Sequence, residues 1–489
     1  MTEVRKRTAI GRPSYLSEEQ KRDIYRAALE IIGRVGMVVH HDKALALLRE
    51  AGADVGADGR VRLPRNLVER TRSGAPSVIP IFDRMGALAM ELGGRNSYFG
   101  TGSDLMSTYD VESGERRPST LEDIRRIARL CDALPNIDFI MSSAYPNDVE
   151  DPHRAYLESF RAMVGNSTKP LVMTAENAGD LRVMWQVASE LRGGHEELRR
   201  KPYFVMYCEP SSPLEHPVDS MEKLLFCADW GIPAIYSPAP LAGATAPITV
   251  AGHTAQGVAE SLFGLVIHQL RRPGSPFIFG VGPAVLDMST AQSSYNAPEY
   301  LATYLCAVDM AKWLDLPNWG YAGTSDSQVV DAQAGMEVAE LTLLSMLYGS
   351  NLNHDVGYLD FGLTGAPELI VIVDEYISLN RRLLGGIEVD LESTAVETID
   401  EVGPGGDFIS SKHTQRHVRS AQWRPTILNR KGYERWREDG AADLSEQARR
   451  KARKVLEKSQ PAPLGEAVER RIDELVEGFR GRQGSSPPS

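Results

Sequence analysis

Apolar residues in the first part of the chain recur with the period of an amphipathic helix. A Ser17-Glu18-Glu19-Gln20 segment with the spacing of a capping box precedes apolar positions 24, 27, 28, 31 and 32. Further patterns predict a helix over residues 42–51, a short hairpin over 54–63 and a third helix that begins at Pro64. Residues 1–95 are therefore predicted to form a separate helical cap.

From Asn96 the pattern changes to short runs of β-branched and aromatic residues, near positions 96, 137, 170, 203, 234, 277, 318 and 351. Helical patterns follow them near positions 121, 154, 180, 218, 255, 298, 332 and 367. Strands that alternate with helices imply parallel pairing through right-handed crossovers. Eight such pairs over 96–400 predict an α/β fold, a (β/α)₈ TIM barrel. The alternative is a doubly wound sheet, but no Gly-x-Gly-x-x-Gly follows the first strand.

Beyond residue 400 the chain is polar and helical. Residues 401–480 are predicted to form a helical extension, in which Leu444–Lys458 and Leu464–Phe479 are amphipathic. These helices could pack on the barrel or on another subunit, and we expect a homo-oligomer. Residues 481–489 are predicted to be a disordered tail.

Composition and charge exclude several classes of protein. The 489 residues are 42% hydrophobic and 25% charged, which is typical of a soluble globular protein, and the net charge of −12 argues against a nucleic-acid partner. No apolar run approaches the ~18 residues of a membrane span, and no apolar stretch follows the basic segment Met1 to Arg12. We therefore expect a cytoplasmic protein without a membrane partner. The cysteines are predicted to be buried free thiols: Cys131, Cys208, Cys227 and Cys306.

Four acidic residues follow predicted strands, at the end of the barrel where such enzymes carry their reactive groups: Asp104, Glu176, Glu209 and Asp326. No Lys or Arg occupies a strand end, so this edge is electronegative and suits a cationic ligand. Each carboxylate could instead cap a helix or bind loop amides. Asp326 and Glu209 are predicted to be catalytic.

Aromatic residues lie near the same edge in the sequence: Tyr98, Phe99, Tyr236, Tyr295, Trp319, Tyr321 and Tyr358. A quaternary ammonium ion cannot donate hydrogen bonds, so proteins hold it against aromatic faces, at about 2 kcal/mol for each desolvated contact. Any one of these residues could instead be core packing. Those predicted to bind substrate are Tyr98, Tyr236, Tyr295, Trp319 and Tyr321.

Searches for other chemistry find little. The chain has no phosphate-binding Gly-x-x-x-x-Gly-Lys-[Ser/Thr], no Gly-x-Ser-x-Gly and no His-Glu-x-x-His. His40-His41 lies in the cap, and His354-Asp355 are adjacent strand residues that face opposite sides. Because no three or four ligands have a metal-site spacing, we expect no metal.

Two segments carry a resemblance to a known family. Residues 323–337, GTSDSQVVDAQAGME, resemble the Ser-Asp-Ser-x-x-x-Asp-x-Gln-Ala segment of the trimethylamine methyltransferase family, and Pro240 to Gly252 is similar to another of its segments. The likeness extends through Lys412-His413-Thr414 and Trp423-Arg424-Pro425. It implies a barrel enzyme that passes a methyl group from an amine to the Co(I) of a corrinoid (cobalamin). The corrinoid is supplied by a partner protein, and the enzyme itself binds no cofactor tightly.

The resemblance also bears on the substrate. Family members that act on trimethylamine carry pyrrolysine, which we place at or next to Gly335, but ordinary residues fill this stretch here. The chain thus resembles members without pyrrolysine, such as glycine betaine methyltransferases. Gln328, where many relatives have lysine, and Asp407, where a histidine is expected before Phe408, depart from the family pattern. These departures could alter substrate choice or docking of the corrinoid protein.

The expected mechanism has no covalent enzyme intermediate. Positioning of the N-methyl group towards Co(I) contributes most of the rate, and Asp326 and Glu209 stabilise the cation. Asp331, Gln333 and His354 are added as candidate substrate-binding residues. Two alternatives remain open: a barrel lyase or isomerase with a carboxylate base, and a non-catalytic ligand-binding barrel subunit.

Overall fold

A computed structural model describes residues 13–479, so the predicted tail at 481–489 and the segment from Met1 to Arg12 lie outside the described residues. The first helix spans Glu18–Glu30. The backbone N–H of Gln20 donates to the Ser17 hydroxyl and the Ser17 N–H donates to the Gln20 side chain, which confirms the capping box. The other elements of this part are Ile31–Val35, Met37–Val39, Asp42–Glu50, the paired strands Asp54–Val55 and Arg60–Arg62, and Arg65–Gly74.

Seven short strands then follow, at positions that the sequence pattern predicts. They are Tyr98–Phe99, Leu171–Met173, Phe204–Cys208, Ala234–Tyr236, Phe277–Phe279, Trp319–Tyr321 and Leu352–His354. Parallel ladders join residues 171–173, 204–208, 234–236 and 277–279 in that order, and join 319–321 to 352–354 and then to 98–99. Near the remaining predicted position, Phe139 and Ile140 form single parallel bridges to Gly100 and Leu171. A further bridge joins Phe279 to Asn318.

A long helix follows each of these eight positions, so the fold is mixed α/β. The helices are Leu121–Ala133, Ala155–Asn166, Ala178–Arg192, Val218–Trp230, Val250–Arg271, Pro298–Trp313, Ala332–Tyr348 and Pro367–Leu384. The longest, Val250–Arg271, packs against the cap helices Glu18–Glu30 and Arg65–Gly74. Within residues 13–479, none of the helices combines the length and apolarity that a membrane crossing needs.

Alternate strand residues pack on opposite sides of the strands. One set, which we call the inner cluster, contains Tyr98, Phe139, Met141, Val172, Val205, Ile235, Ile278, Trp319 and Leu352. The other set packs towards the helices and includes Leu171, Phe204, Met206, Ala234, Tyr236, Phe277 and Phe279. Strands that are buried on both faces are typical of a parallel sheet covered by helices.

A β-hairpin lies where the sequence patterns predict only a helical cap. Its strands are Val78–Phe82 and Leu88–Gly93. The fully buried side chains of Ile81 and Met90 join the inner cluster. The Glu91 N–H donates to the Tyr98 hydroxyl, 3.1 Å away. Because Tyr98 begins its strand, the hairpin covers the amino ends of the strands.

The connections at the carboxyl ends of the strands carry further short strands. One set joins Leu241–Ala242, Ala284–Leu286 and Ser293–Ser294. Another joins Tyr358–Leu359, Thr364–Gly365, Ser107–Tyr109 and Arg116–Pro118. Glu215–His216 pairs with Met37–Val39 of the cap. Loops that follow different strands are thereby held together.

The carboxyl-terminal part adds six helices to the described chain: Leu391–Thr394, Val396–Val402, Lys412–Ala421, Tyr433–Glu438, Leu444–Lys458 and Glu466–Glu477. Leu444–Lys458, with the predicted bounds, packs on Pro367–Leu384 and Leu121–Ala133. Glu466–Glu477 packs on Ala155–Asn166 and Ala178–Arg192. The two amphipathic helices thus lie against other helices of their own chain, one of the two predicted arrangements. Two further short helices are Pro152–Arg154 and His195–Arg200.

Candidate active site at the carboxyl ends of the strands

Asp355 directly follows the strand Leu352–His354 and is the most strongly perturbed acid of this edge. It is 3% exposed, and burial raises its pKa well above the usual range of an aspartate. Its backbone adopts a left-handed conformation with φ of 74°. Such a conformation costs a non-glycine residue about 1–3 kcal/mol and occurs preferentially at functional sites. Burial and strain together make Asp355 a candidate for chemistry.

His354 is held as a neutral imidazole beside this acid. Its Nδ1 donates to the carbonyl oxygen of Gly320 at 2.7 Å, and its ring stacks on Trp319 with centroids 4.0 Å apart. Burial lowers the pKa of His354 to about 3. Since Nδ1 carries the proton, Nε2 accepts, and it lies 3.2 Å from Oδ1 of Asp355. When Asp355 is protonated, it can donate to Nε2 of His354, and the pair is then uncharged.

Phenol rings surround the Asp355 carboxyl. Burial is the main cause that raises the pKa of five nearby tyrosines, and the ionised form of Asp355 raises it further: Tyr207, Tyr295, Tyr300, Tyr321 and Tyr358. For Tyr295 the pKa rises to about 12, so this phenol is neutral at physiological pH. Tyr321 packs edge-to-face on Tyr300, with ring centroids 5.9 Å apart. Neutral aromatic rings around an acid suit a cationic ligand that lacks hydrogen-bond donors.

Two further acids lie at the same edge. Oε2 of Glu209 accepts from the Tyr207 hydroxyl at 3.0 Å, and Oδ2 of Asp104 accepts from Ser103 at 2.8 Å. Burial raises the pKa of both acids. The Glu209 side chain is nevertheless accessible to solvent. Asp104 shares the left-handed backbone of Asp355, with φ of 65°.

A lysine that the strand-end pattern misses also belongs to this group. Burial has the larger effect and raises the pKa of both Asp104 and Glu209. The positive charge of Lys223 acts in the opposite direction and lowers the pKa of both acids. Its ammonium group donates to the carbonyl oxygen of Ala175 at 2.8 Å. Because Lys223 lies on the helix Val218–Trp230, inspection of strand ends alone does not find it.

Glycines allow the strand-end loops to approach these groups. A Cβ on Gly102 would lie 2.2 Å from the Tyr358 hydroxyl and 2.3 Å from Oδ1 of Asp355. A Cβ on Gly282 would lie 2.8 Å from the Tyr321 hydroxyl. These contacts are shorter than real Cβ atoms tolerate, so the site is built around backbone that has no side chain.

Asp326, predicted to be catalytic, contacts a loop. Its carboxylate accepts from the Ser294 hydroxyl at 2.5 Å, from the Tyr295 N–H at 2.9 Å and from the Asn296 N–H at 3.3 Å. These bonds hold Tyr295, which does reach the site. A direct contact between Asp326 and substrate stays a prediction.

Two other residues of the same segment stabilise the start of the helix Ala332–Tyr348. Asp331 caps it by accepting from the Ala334 N–H at 3.0 Å, and Gln333 donates to Glu337 at 3.0 Å. Both are exposed. Their predicted role in substrate binding remains a prediction, but their contacts are those of a helix terminus.

The structure does not bring Tyr98 and Tyr236 together with the acids. Tyr98 lies at the opposite end of its strand, against the hairpin. Tyr236 faces the helices, because its neighbour Ile235 occupies the inward position, and its hydroxyl lies 2.6 Å from Nδ1 of His216. Trp319 lies in the inner cluster and supports His354. Glu176 is 3.0 Å from Nδ1 of His153.

A cavity of about 790 Å³ lies elsewhere, beside the end of the helix Leu121–Ala133. Its charged lining is mostly basic: Lys431, Arg450, Lys451, Lys454 and Lys458, with Asp439. It contains none of the strained acids or strand-end tyrosines. We therefore assign the candidate active site to the strand ends.

The four cysteines, as predicted, are buried free thiols.

Comparisons with known proteins agree with a methyl-transfer enzyme. Residues 3–482 match the family model described as trimethylamine methyltransferase (MTTB). The trimethylamine methyltransferase MttB of Desulfitobacterium hafniense is 29% identical over 469 residues, which cover 96% of this chain and 94% of that protein. A glycine betaine methyltransferase of the same species is 28% identical over 476 residues, covering 96% and 98%. The crystal structure of the Methanosarcina barkeri monomethylamine methyltransferase (MtmB) aligns with a TM-score of 0.49 at 14% identity, covering 92% and 96%. Because the family model spans nearly the whole sequence, this chain belongs to the trimethylamine methyltransferase family.

Proposed function

We propose that this enzyme transfers a methyl group from a small quaternary amine, of the glycine betaine type, to the Co(I) of a corrinoid carried by a partner protein. The observation that carries the proposal is the buried Asp355, whose pKa is raised and whose surroundings are phenol rings. A quaternary ammonium ion has no N–H to donate. It is bound by aromatic faces and by the negative charge of an ionised carboxylate.

The helix Ala332–Tyr348 supports a quaternary rather than a tertiary substrate. A side chain at Gly335 would meet nothing within 4 Å, so the space where we expect pyrrolysine in trimethylamine-using members is open here. A quaternary ammonium ion needs no activating group, because its leaving group is already a neutral amine. The ordinary residues around Gly335 are therefore compatible with direct methyl transfer.

The residues of the site would position the substrate and stabilise its charge. The corrinoid supplies a nucleophilic Co(I), which accepts the methyl group as the C–N bond breaks and a neutral tertiary amine leaves. Asp355 and Glu209 in their ionised forms would hold the cation, while Tyr321 and Tyr295 exclude water from it. Asp326 would act through Tyr295, whose loop it holds. Positioning of this kind contributes roughly 7–11 kcal/mol in well-oriented reactions.

The connections after the strands offer a surface for the corrinoid protein. Six apolar side chains, in these connections or in the first turns of the helix Ala332–Tyr348, are each about half exposed or more: Met106, Ile248, Met288, Val329, Met336 and Leu363. Contiguous exposed apolar residues mark interaction sites. We assign this rim to the docking of a corrinoid-binding protein.

The pairing pattern supports a closed (β/α)₈ barrel over residues 96–400, with a cap at 1–95 and an extension at 401–480. The parallel ladders and the single bridges from Phe139, Ile140 and Phe279 link each strand position to the next one and the last to the first. The inner cluster would then fill the barrel. In this architecture Asp104, Glu209, Asp326 and Asp355 would lie at one mouth of the barrel.

A homo-oligomer is supported by a second exposed apolar surface, in residues 383–409. Its exposed members are Leu383, Ile387, Val389, Leu391, Val396, Ile399, Phe408 and Ile409. Burial against another copy of the chain would remove this surface from water.

The proposed function predicts that the purified chain converts Co(I) corrinoid to its methylated form with a quaternary amine as donor. The absorbance of the Co(I) state is followed during incubation with glycine betaine, other betaines and trimethylamine. Conversion with a quaternary amine alone is the expected result. Conversion with trimethylamine alone would contradict the quaternary assignment, and turnover without any corrinoid would indicate a lyase or isomerase instead.

The variant Met336→Glu tests the proposed docking surface in the same assay. Met336 is 67% exposed, so the substitution leaves the fold intact. It should slow transfer to the corrinoid protein while free cob(I)alamin is methylated at the wild-type rate. Equal slowing with both acceptors would show that the substitution damages the site itself.

Binding of a quaternary amine is expected to release protons and to strengthen as pH rises. Burial raises the pKa of Asp355, Glu209 and Asp104 in the empty site, so below these values the acids are protonated. A bound cation favours the ionised carboxylates, which lowers their pKa and expels protons. Affinity therefore increases with pH up to the raised pKa values and is lost towards acid pH.

Calorimetry of glycine betaine in two buffers with different ionisation enthalpies measures this proton release. The matched ligand is 3,3-dimethylbutanoate, which replaces the quaternary nitrogen with carbon and keeps the shape. Its binding should show no comparable proton release. Identical proton release with both ligands would mean that the acids do not respond to the cationic charge.

A further inference from the structure

A second group of chemically reactive side chains lies far along the chain from the strand ends. His413 and His417 are one turn apart on the helix Lys412–Ala421, so both face the same side. Glu392, on the short helix Leu391–Thr394, lies opposite them. Nε2 of His417 is 3.0 Å from Oε1 of Glu392, and Nε2 of His413 is 3.2 Å from its backbone carbonyl oxygen. Both imidazoles thus direct the same ring nitrogen towards one residue.

We propose that His413, His417 and Glu392 form a binding site for a divalent transition metal ion, with Zn²⁺ as the best fit. Ligand atoms of the three residues already lie within 4.8 Å of one another. Zinc binds imidazole nitrogen at about 2.0–2.1 Å and carboxylate oxygen at about 2.0–2.2 Å in tetrahedral geometry, which separates the ligand atoms by roughly 3.3–3.5 Å. Small side-chain rotations therefore bring all three ligands to one ion. Three protein ligands leave a fourth position for water.

Arg416 competes with a metal ion for the Glu392 carboxylate. It donates to Oε1 of Glu392 at 2.8 Å, the same oxygen that His417 approaches. Oε2 of Glu392 has no hydrogen-bond donor among residues 13–479. The carboxylate can therefore keep Arg416 on one oxygen and offer the other to a metal ion.

The site would fasten the exposed apolar segment at residues 383–409 to the helix that follows it. Across the described range, the polar contacts between Leu391–Thr394 and Lys412–Ala421 all involve Glu392. A metal ion at this point would hold the segment in one position without taking part in methyl transfer. We expect no metal from the sequence, because no three or four ligands in it have the spacing of a metal site. The His-x-x-x-His spacing on one helix is the signal that this expectation overlooks.

Zinc titration of the untagged full-length protein tests the proposal. A chromogenic chelator competes for the ion at pH 7.5, and Co²⁺ substitution reports tetrahedral coordination through its visible absorption. The expected result is one Zn²⁺ per chain. The double variant His413→Asn/His417→Asn should bind it at least about 100-fold more weakly, since loss of outer-shell partners alone costs 10- to 100-fold. Arg416→Met should retain the ion.

His40→Asn is the matched control, because His40 is exposed, lies 3.4 Å from the Glu215 carboxylate and belongs to no helix. Its zinc binding should equal that of the wild type. Absence of zinc binding at micromolar concentrations, or equal affinity of the wild type and the double variant, would overturn the proposal. If the double variant proves unstable, the zinc affinity of the His417→Gln variant and the Co²⁺ spectrum of the wild type decide whether these residues bind the ion. Methylation of the corrinoid should be unchanged in every variant, so this test and the test of the methyl-transfer function fail independently.

Discussion

Asp355→Asn is expected to weaken the binding of a quaternary amine about 10- to 100-fold while the protein stays folded. The asparagine N–H can donate to Nε2 of His354, as a protonated Asp355 does, so the hydrogen bond is kept and only the ionisable group is lost. An interaction with a charged group contributes about 1–3 kcal/mol, and each 1.4 kcal/mol corresponds to a factor of ten in affinity. Calorimetry with glycine betaine measures the effect.

The isostere 3,3-dimethylbutanoate, whose tert-butyl group carries no positive charge, separates the effect of the cationic charge from that of shape in this experiment. Its affinity should be the same in the wild type and in the Asp355→Asn variant. An equal loss of affinity for both ligands would show that the substitution distorts the site. Unchanged affinity for glycine betaine would assign the cation to Glu209 or Asp104 instead.

Gly102→Ala is expected to reduce methyl transfer by about 100-fold or more. Its Cβ would lie within 2.3 Å of both the Tyr358 hydroxyl and Oδ1 of Asp355, so at least one of these groups must move. Misplacement of reacting groups by about 1 Å costs on the order of 100-fold in rate, and overpacking costs about 1–3 kcal/mol of stability. Steady-state kinetics and thermal unfolding of the same preparation measure both effects.

Gly165→Ala is the matched control for this substitution. Gly165 lies in the helix Ala155–Asn166, and a Cβ there would meet nothing within 4 Å. Alanine should leave activity unchanged and stabilise the helix by up to about 1 kcal/mol. Wild-type kcat/KM in the Gly102→Ala variant would show that Asp355 and Tyr358 are free to move without loss of function.

The order of helices and strands could be predicted from the sequence because each element carries its own periodic signal. Seven of the eight predicted strands, the eight helices that follow the strand positions and the helix Leu444–Lys458 lie where hydrophobic spacing places them. The hairpin Val78–Phe82 and Leu88–Gly93 was missed although its buried residues alternate. Pro80 interrupts the first run, and proline normally argues against a strand. Its strand is tolerated because it pairs with only one neighbour.

The site was harder to predict because it depends on which side of a strand each residue faces. Tyr236 and Ile235 differ by one position, and only the three-dimensional packing shows that Ile235 points inward. Tyr321, Tyr295, Glu209 and His354 do reach the candidate site. The sequence pattern does not predict Asp355 as a site residue, since its burial and its left-handed backbone arise from contacts with other strands.

The hairpin that covers the amino ends of the strands would also set the order of events in the proposed reaction. Its buried side chains pack on the inner cluster at that end, so the amine and the corrinoid protein would both approach the acids from the carboxyl ends of the strands. The amine must then bind before the corrinoid protein, and the demethylated product must wait until that protein dissociates. The kinetics would be compulsory-ordered, with the corrinoid protein inhibiting at high concentration by trapping the empty enzyme.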